Sequence, residues 1–219
     1  VSTASQQIRS LFLEGPAGRL EALLNEGQSD ATRAALVCHP HPLFGGTMHN
    51  KVVFHAMKAL HSFGFPVLRF NFRGAGRSEG KHDEGRGEVD DVRTALDWLA
   101  REFSLPILFC GFSFGAATGL KAACPDPHVD MLISLGTPVQ VQDRGYGYQF
   151  LKDCAKPKLF VSGNHDQYGP RAQLQRMVAT LPGPKKLVFV EGDHFFLGHL
   201  PDLRQEIEKW VGQFVIRNR

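Results

Sequence analysis

The chain has 219 residues, of which 42% are hydrophobic and 21% charged, with 23 Gly and 13 Pro. This is ordinary globular composition and excludes disordered, collagen-like and low-complexity classes. With 25 Lys+Arg against 22 Asp+Glu the net charge is only +3, too mild to argue for nucleic acid or an anionic membrane as partner.

Residues 1–7 are polar and read as a frayed end. Ile8–Glu14 and Leu20–Asn25 read as two strands around the turn Gly15-Pro16-Ala17-Gly18. Ala34–Cys38 is apolar throughout and runs into the Pro- and Gly-rich stretch His39–Thr47, the pattern of a central parallel strand. Lys51–Phe63 has apolar residues at helical spacing and stops at Gly64. The alternation then repeats. Pro66–Phe72 is a strand, and Glu88–Phe103 a helix with acids in its first turn. Pro106–Cys110 is a strand, Phe114–Ala123 a helix and Val129–Leu135 a strand. Lys158–Ser162 (strand), Arg171–Leu181 (helix), Lys186–Glu191 (strand) and Asp202–Ile216 (helix) complete the chain. The pattern predicts an α/β fold in one domain over 1–219. Its sheet is doubly wound, eight-stranded and mostly parallel, with an antiparallel edge and helices on both faces. Val139–Lys156 is too short for a cap domain but has room for a small aromatic flap carrying Tyr146, Tyr148 and Phe150.

Open α/β sheets bind ligands beyond the carboxyl ends of their strands. One such loop reads Gly111-Phe112-Ser113-Phe114-Gly115, a G-x-S-x-G between a predicted strand and a predicted helix. A sharp turn there strains the serine backbone, and the flanking glycines let strand and helix approach. The helix N-terminus then favours negative charge beside the hydroxyl. An incidental serine in a glycine-rich turn is the bland alternative, and the strand and helix on either side weigh against it.

A serine hydroxyl needs a base to take its proton. Among ten histidines, His194 follows the last strand directly, with His199 as runner-up. The imidazole needs a carboxylate to hold its tautomer. Asp166, in Ser162-Gly163-Asn164-His165-Asp166, follows another strand. Asp193 is adjacent to His194 and so points elsewhere; Asp143 and Asp153 are weaker candidates. The resulting order, Ser113–Asp166–His194, differs from those of chymotrypsin and subtilisin. Candidates for an apolar acyl pocket are Phe44, Phe112, Tyr146, Tyr148 and Phe195, with core packing the competing expectation for Phe112 and Phe196.

Two rival sites carry less. His39-x-His41 with His49 and His55 hints at a metal, but the irregular Pro-bearing loop lacks helical ligand pairing, and these side chains read as lining or buttressing a pocket. Gly74-x-Gly76 follows a strand, but Glu79 stands where a dinucleotide loop needs its third glycine, and no helix opens there. The four cysteines (Cys38, Cys110, Cys124, Cys154) form no CxxC and read as reduced structural thiols. No apolar run approaches the ~18 residues of a membrane span. With no visible signal peptide the chain reads as cytoplasmic, although it opens Val1-Ser2-Thr3 with its first Met at Met48, which leaves room for a removed leader.

On these residues the chain resembles the α/β-hydrolase superfamily along nearly its whole length. More narrowly, the run from His39-Pro40-His41-Pro42-Leu43-Phe44-Gly45-Gly46 to Val53 looks like the signature of a small, capless bacterial group, described as dienelactone-hydrolase-like or serine-aminopeptidase-like. Asn71-Phe72-Arg73-Gly74-Ala75-Gly76-Arg77-Ser78-Glu79-Gly80 is similar to the N-[FY]-R-G-x-G-x-S-x-G loop of the same group. The resemblance implies a Ser113 nucleophile, a His194 base, an Asp166 orienter and no cofactor. The oxyanion would be held by the Phe114 amide and one amide after Cys38. Pro40 and Pro42 have no N–H to give. His41 matches the donor of the commoner His-Gly-x loop, and Leu43 is the alternative. The expected partner is a small, soluble ester. Aminopeptidase, amidase, lactonase or thioesterase chemistry on the same triad is the alternative within enzymes, and a non-catalytic binding module the alternative outside them.

Overall fold

The structure, a computed structural model, describes residues 7–141 and 144–215. Residues 1–6 of the frayed end expected over 1–7, and the weak carboxylate candidate Asp143, lie outside the described residues. In chain order the elements are β1 (Ile8–Gly15), β2 (Gly18–Asn25), β3 (Ala34–Cys38), α1 (Lys51–His61), β4 (Val67–Phe70), α2 (Gly87–Phe103) and β5 (Ile107–Phe112). They continue as α3 (Phe114–Ala123), β6 (Val129–Leu135), β7 (Gln140–Val141), β8 (Arg144–Gly145), β9 (Lys158–Gly163), α4 (Arg171–Ala179), β10 (Lys185–Val190) and α5 (Leu200–Val215).

Eight strands form one sheet in the order β1-β2-β4-β3-β5-β6-β9-β10. β1 pairs antiparallel with β2, and β2 antiparallel with β4. The remaining neighbours pair in parallel. This is the α/β-hydrolase fold, with helices on both faces and no cap domain among the described residues. The period of two along each strand decides which layer a residue joins. In β3, Leu36 and Cys38 pack with Phe70 and Phe109 beneath α2 and α3. Ala35 and Val37 face the other way, against Val53, Leu60 and Trp210 of α1 and α5. All of β3, β4 and β5 is buried, as strands covered on both faces must be.

The loop that follows β4 is a structural turn. Arg73 donates to Asp91 of α2 from its backbone N–H and its guanidinium, and Glu79 accepts from the backbone and side chain of Arg19. The stretch between β6 and β9 holds the two-residue hairpin β7–β8 and a 3-10 turn, Gln149–Asp153. No helix among the described residues is long and apolar enough to cross a membrane.

Candidate active site

The carboxyl ends of β3, β5, β9 and β10 converge on one edge of the sheet. Ser113 sits between β5 and α3 with φ 55° and ψ −118°, a conformation that side-chain-bearing residues seldom adopt. Such strain costs on the order of 1–3 kcal/mol and persists only where the surroundings impose it. The flanking glycines are part of that imposition. A Cβ on Gly111 would lie 2.5 Å from the Gly115 carbonyl oxygen and 2.6 Å from Ala116 Cα. One on Gly115 would strike the carbonyls of Cys38 and His39.

The turn aims the Ser113 hydroxyl at His194. Oγ lies 2.9 Å from His194 Nε2, and His194 Nδ1 lies 2.9 Å from Asp166 Oδ2. An ionised carboxylate only accepts, so Nδ1–H donates to Asp166 and Nε2 is left to accept from Ser113. Asp166 also accepts from the Ser162 hydroxyl at Oδ2, and from the backbone N–H groups of Tyr168 and Gly169 at Oδ1. Burial pushes this carboxyl up. The hydrogen bond and charge of His194, with the two amides, outweigh it and hold the group below its ordinary value. The imidazole itself is boxed by aromatic rings. Phe112 and Phe195 have centroids 5.2 Å away, and the Tyr168 ring meets it edge-on at 4.7 Å. So placed, a proton can pass from Ser113 to His194 while the ring stays fixed.

His41 and Leu43 sit on the loop beyond β3. The Leu43 N–H points to its own loop, donating to His41 Nδ1 at 3.3 Å, and its side chain is exposed. His41 lines the cavity above Ser113, its ring 4.7 Å from that of Phe114. Phe114 opens α3, where a helix has no carbonyl of its own for the first N–H groups. Beneath the loop, His39 is buried and bridges two elements. Its Nε2 accepts from the Phe72 N–H at 3.0 Å, which leaves Nδ1–H to donate to the Pro40 carbonyl at 2.6 Å. Burial lowers its pKa from 6.5 to about 4. A base depressed in the fold takes its proton more readily when unfolded, so the stability it carries is complete above pH 6.5 and is lost as pH falls towards 4. That loss is about 3 kcal/mol. Urea unfolding at pH 7 and pH 4 checks it: His39→Gln, whatever its own stability, declines by about 3 kcal/mol less than the unaltered chain.

The cavity has a volume of about 240 Å³. Phe44, Tyr146 and Phe195 line it, together with Pro40, His41, Asn50, Phe114 and Tyr168. Two expected pocket residues do not. Phe112 is wholly buried, because β5 continues to it and period two turns its ring under His194. Tyr148 is buried with its hydroxyl donating to the Pro138 carbonyl, an anchor for the β7–β8 segment. Tyr146 supplies the flap's contribution to the cavity. The runner-up base His199 pairs with Asp202. Asp193 accepts from the Phe195 and Leu197 N–H groups, and Asp153 ends the 3-10 turn. Among the described residues no three His, Cys, Asp or Glu side chains gather in a metal-ligand arrangement. Burial pushes the Cys38 and Cys110 thiols up, which keeps these core side chains protonated.

Sequence reasoning missed Tyr168, Ser162 and Asn50. Tyr168 stands two residues beyond Asp166, which was a usable signal. Ser162 ends its strand in the sequence pattern, and the structure turns its hydroxyl to Asp166.

A strained serine at a strand–helix turn, hydrogen-bonded to a histidine that a carboxylate orients, on this sheet, defines a serine hydrolase of the α/β-hydrolase type. Residues 31–156 match the family model described as serine aminopeptidase, S33, and the chain belongs to that family. It is 36% identical over 194 residues to the uncharacterized protein RP471 of Rickettsia prowazekii, covering 85% of this chain and 81% of that one. Among solved structures it is similar to an alpha-beta serine hydrolase homologue from Coxiella burnetii: 37% identity, TM-score 0.84, covering 95% and 98% of the two chains. It is also similar to XC6422 of Xanthomonas campestris, a member of the a/b serine hydrolases without lid: 32% identity, TM-score 0.84, 98% of each chain.

Proposed function

We propose that the protein is a carboxylesterase that works through an acyl-enzyme on Ser113. The observation that carries this is the continuous hydrogen-bonded array Ser113–His194–Asp166 opening into a largely aromatic cavity. Ser113 Oγ attacks the ester carbonyl carbon as its proton moves to His194 Nε2. The amides of Phe114 and His41 receive the charge on the former carbonyl oxygen. His194 then protonates the departing alkoxide. A water, deprotonated by the same nitrogen, opens the acyl-enzyme, and the acid leaves with Ser113 regenerated. Asp166 stays ionised throughout and stabilises the transient imidazolium.

The family's description raises a second reading, aminopeptidase. Such an enzyme must hold the ammonium of a peptide N-terminus, a charge that is costly to bury without a carboxylate. Among the described residues that line the cavity there is no Asp or Glu. The test is a panel of p-nitrophenyl esters beside aminoacyl p-nitroanilides. The expected result is turnover of the esters, with anilide kcat/KM lower by about 100-fold or more. Anilide turnover equal to or above that of the esters would reverse the order of the two readings.

A further inference from the structure

A second cavity of about 400 Å³ adjoins the first and shares Gly45, Asn50 and Phe195 with it. We propose that it is the leaving-group site, fitted to an alcohol half that is apolar along its body and anionic at its end. The inference rests on the hydrolase reading above, because direction is set by the chemistry. The leaving group departs towards its proton donor, His194 Nε2. Phe195 follows His194 in the chain, and its ring stands 5.2 Å from the imidazole. The second cavity begins at this ring, so the product half leaves Ser113 in its direction. The cavity over Ser113 keeps the acyl half.

Size and chemistry narrow the ligand. The outer cavity, about 400 Å³, has room for a leaving half well beyond a methyl group. The inner cavity alone falls below the ~300 Å³ at which typical ligand sites begin, and the outer one exceeds it. Leu197 and Leu200 join Phe195 along its apolar wall. Leu197 is 74% exposed and Phe195 51%, an apolar surface left to water until something lies on it. Thr47, His49 and Lys51 also line this cavity. The first turn of α1 carries no acid, and no carboxylate among the described residues lies within ion-pair distance of Lys51. A lysine and three large apolar side chains lining one cavity suit a leaving group with a carboxylate or similar anion beyond an aryl or alkyl body.

The experiment compares acetate esters of three alcohols of similar acidity: methanol, benzyl alcohol and 4-carboxybenzyl alcohol. kcat/KM is measured on the full chain, on Lys51→Gln and on Leu197→Trp, each first titrated with a fluorophosphonate probe at Ser113. Expected is a gain of about tenfold from methyl to benzyl and about fivefold more from benzyl to carboxybenzyl. Lys51→Gln removes the second step, and Leu197→Trp shrinks the first. A flat series in a protein whose Ser113 takes the probe overturns the inference and leaves the hydrolase reading standing. A size preference without the carboxylate step, or one that Lys51→Gln leaves unchanged, overturns the anionic assignment. Failure of the probe to label Ser113 overturns the parent reading, and this inference with it.

Discussion

Replacing Ser113 by Ala is expected to abolish fluorophosphonate labelling and to lower ester kcat by about 10⁵-fold or more. The size of the effect follows from what the residue does. Without Oγ there is no acyl-enzyme, and His194 is left to activate water at a distance from the carbonyl. A factor of 10⁵ corresponds to about 7 kcal/mol of lost transition-state stabilisation. The substitution leaves the fold in place: Ser113 keeps its backbone N–H bond to the Leu135 carbonyl, and its carbonyl still accepts from Ala116 and Ala117. Circular dichroism and the urea midpoint should therefore stay close to those of the unaltered chain. Labelling that persists in Ser113→Ala would move the nucleophile elsewhere.

Asp166→Asn is expected to cost about 10⁴-fold in kcat while changing the site's shape very little. The structure dictates how the new amide would lie. Oδ1 already accepts from the N–H groups of Tyr168 and Gly169, positions that an amide nitrogen cannot take. The amide oxygen therefore stays there, and the NH₂ faces His194 and Ser162. A donor opposite Nδ1 turns the imidazole into the other tautomer, with its proton on Nε2. That nitrogen then donates to Ser113 and can no longer accept from it. The check is steady-state kinetics on a p-nitrophenyl ester, with NMR of the His194 ring nitrogens to read the tautomer. Near-normal kcat in Asp166→Asn would show that the carboxylate does not orient the base.

Much of this was legible from local pattern. β3 and β5 declare themselves because each is apolar at every position, which only a two-sided burial rewards. Ser113 stands out because few contexts other than a tight strand–helix turn call for glycine two before and two after a serine. His194 and Asp166 stand out only by position, each in the loop after a late strand. The edge order β1-β2-β4-β3, with its antiparallel pairs, was expected only as an antiparallel edge. The aromatic candidates were harder. Tyr146 and Tyr148 look alike in sequence, yet one lines the cavity and the other donates its hydroxyl to Pro138. Their difference is set by how the β7–β8 hairpin lies on the body, and composition does not encode that.

Sequence alone determined the α/β architecture and the absence of room for a cap, and it singled out Ser113, Asp166 and His194 as candidates. Each is written in short-range terms: hydrophobic period, glycine placement, and a polar residue just past a strand. Tertiary structure decided what depends on long-range approach. It set the 2.9 Å spacings that join Ser113 to His194 and His194 to Asp166, residues far apart in the chain. It also buried His39 as a neutral bridge beneath the cavity loop, while His41 two residues on lines the cavity itself. The surrounding fold, and not the chemistry of the side chain, makes one of these two imidazoles a strut and the other a wall.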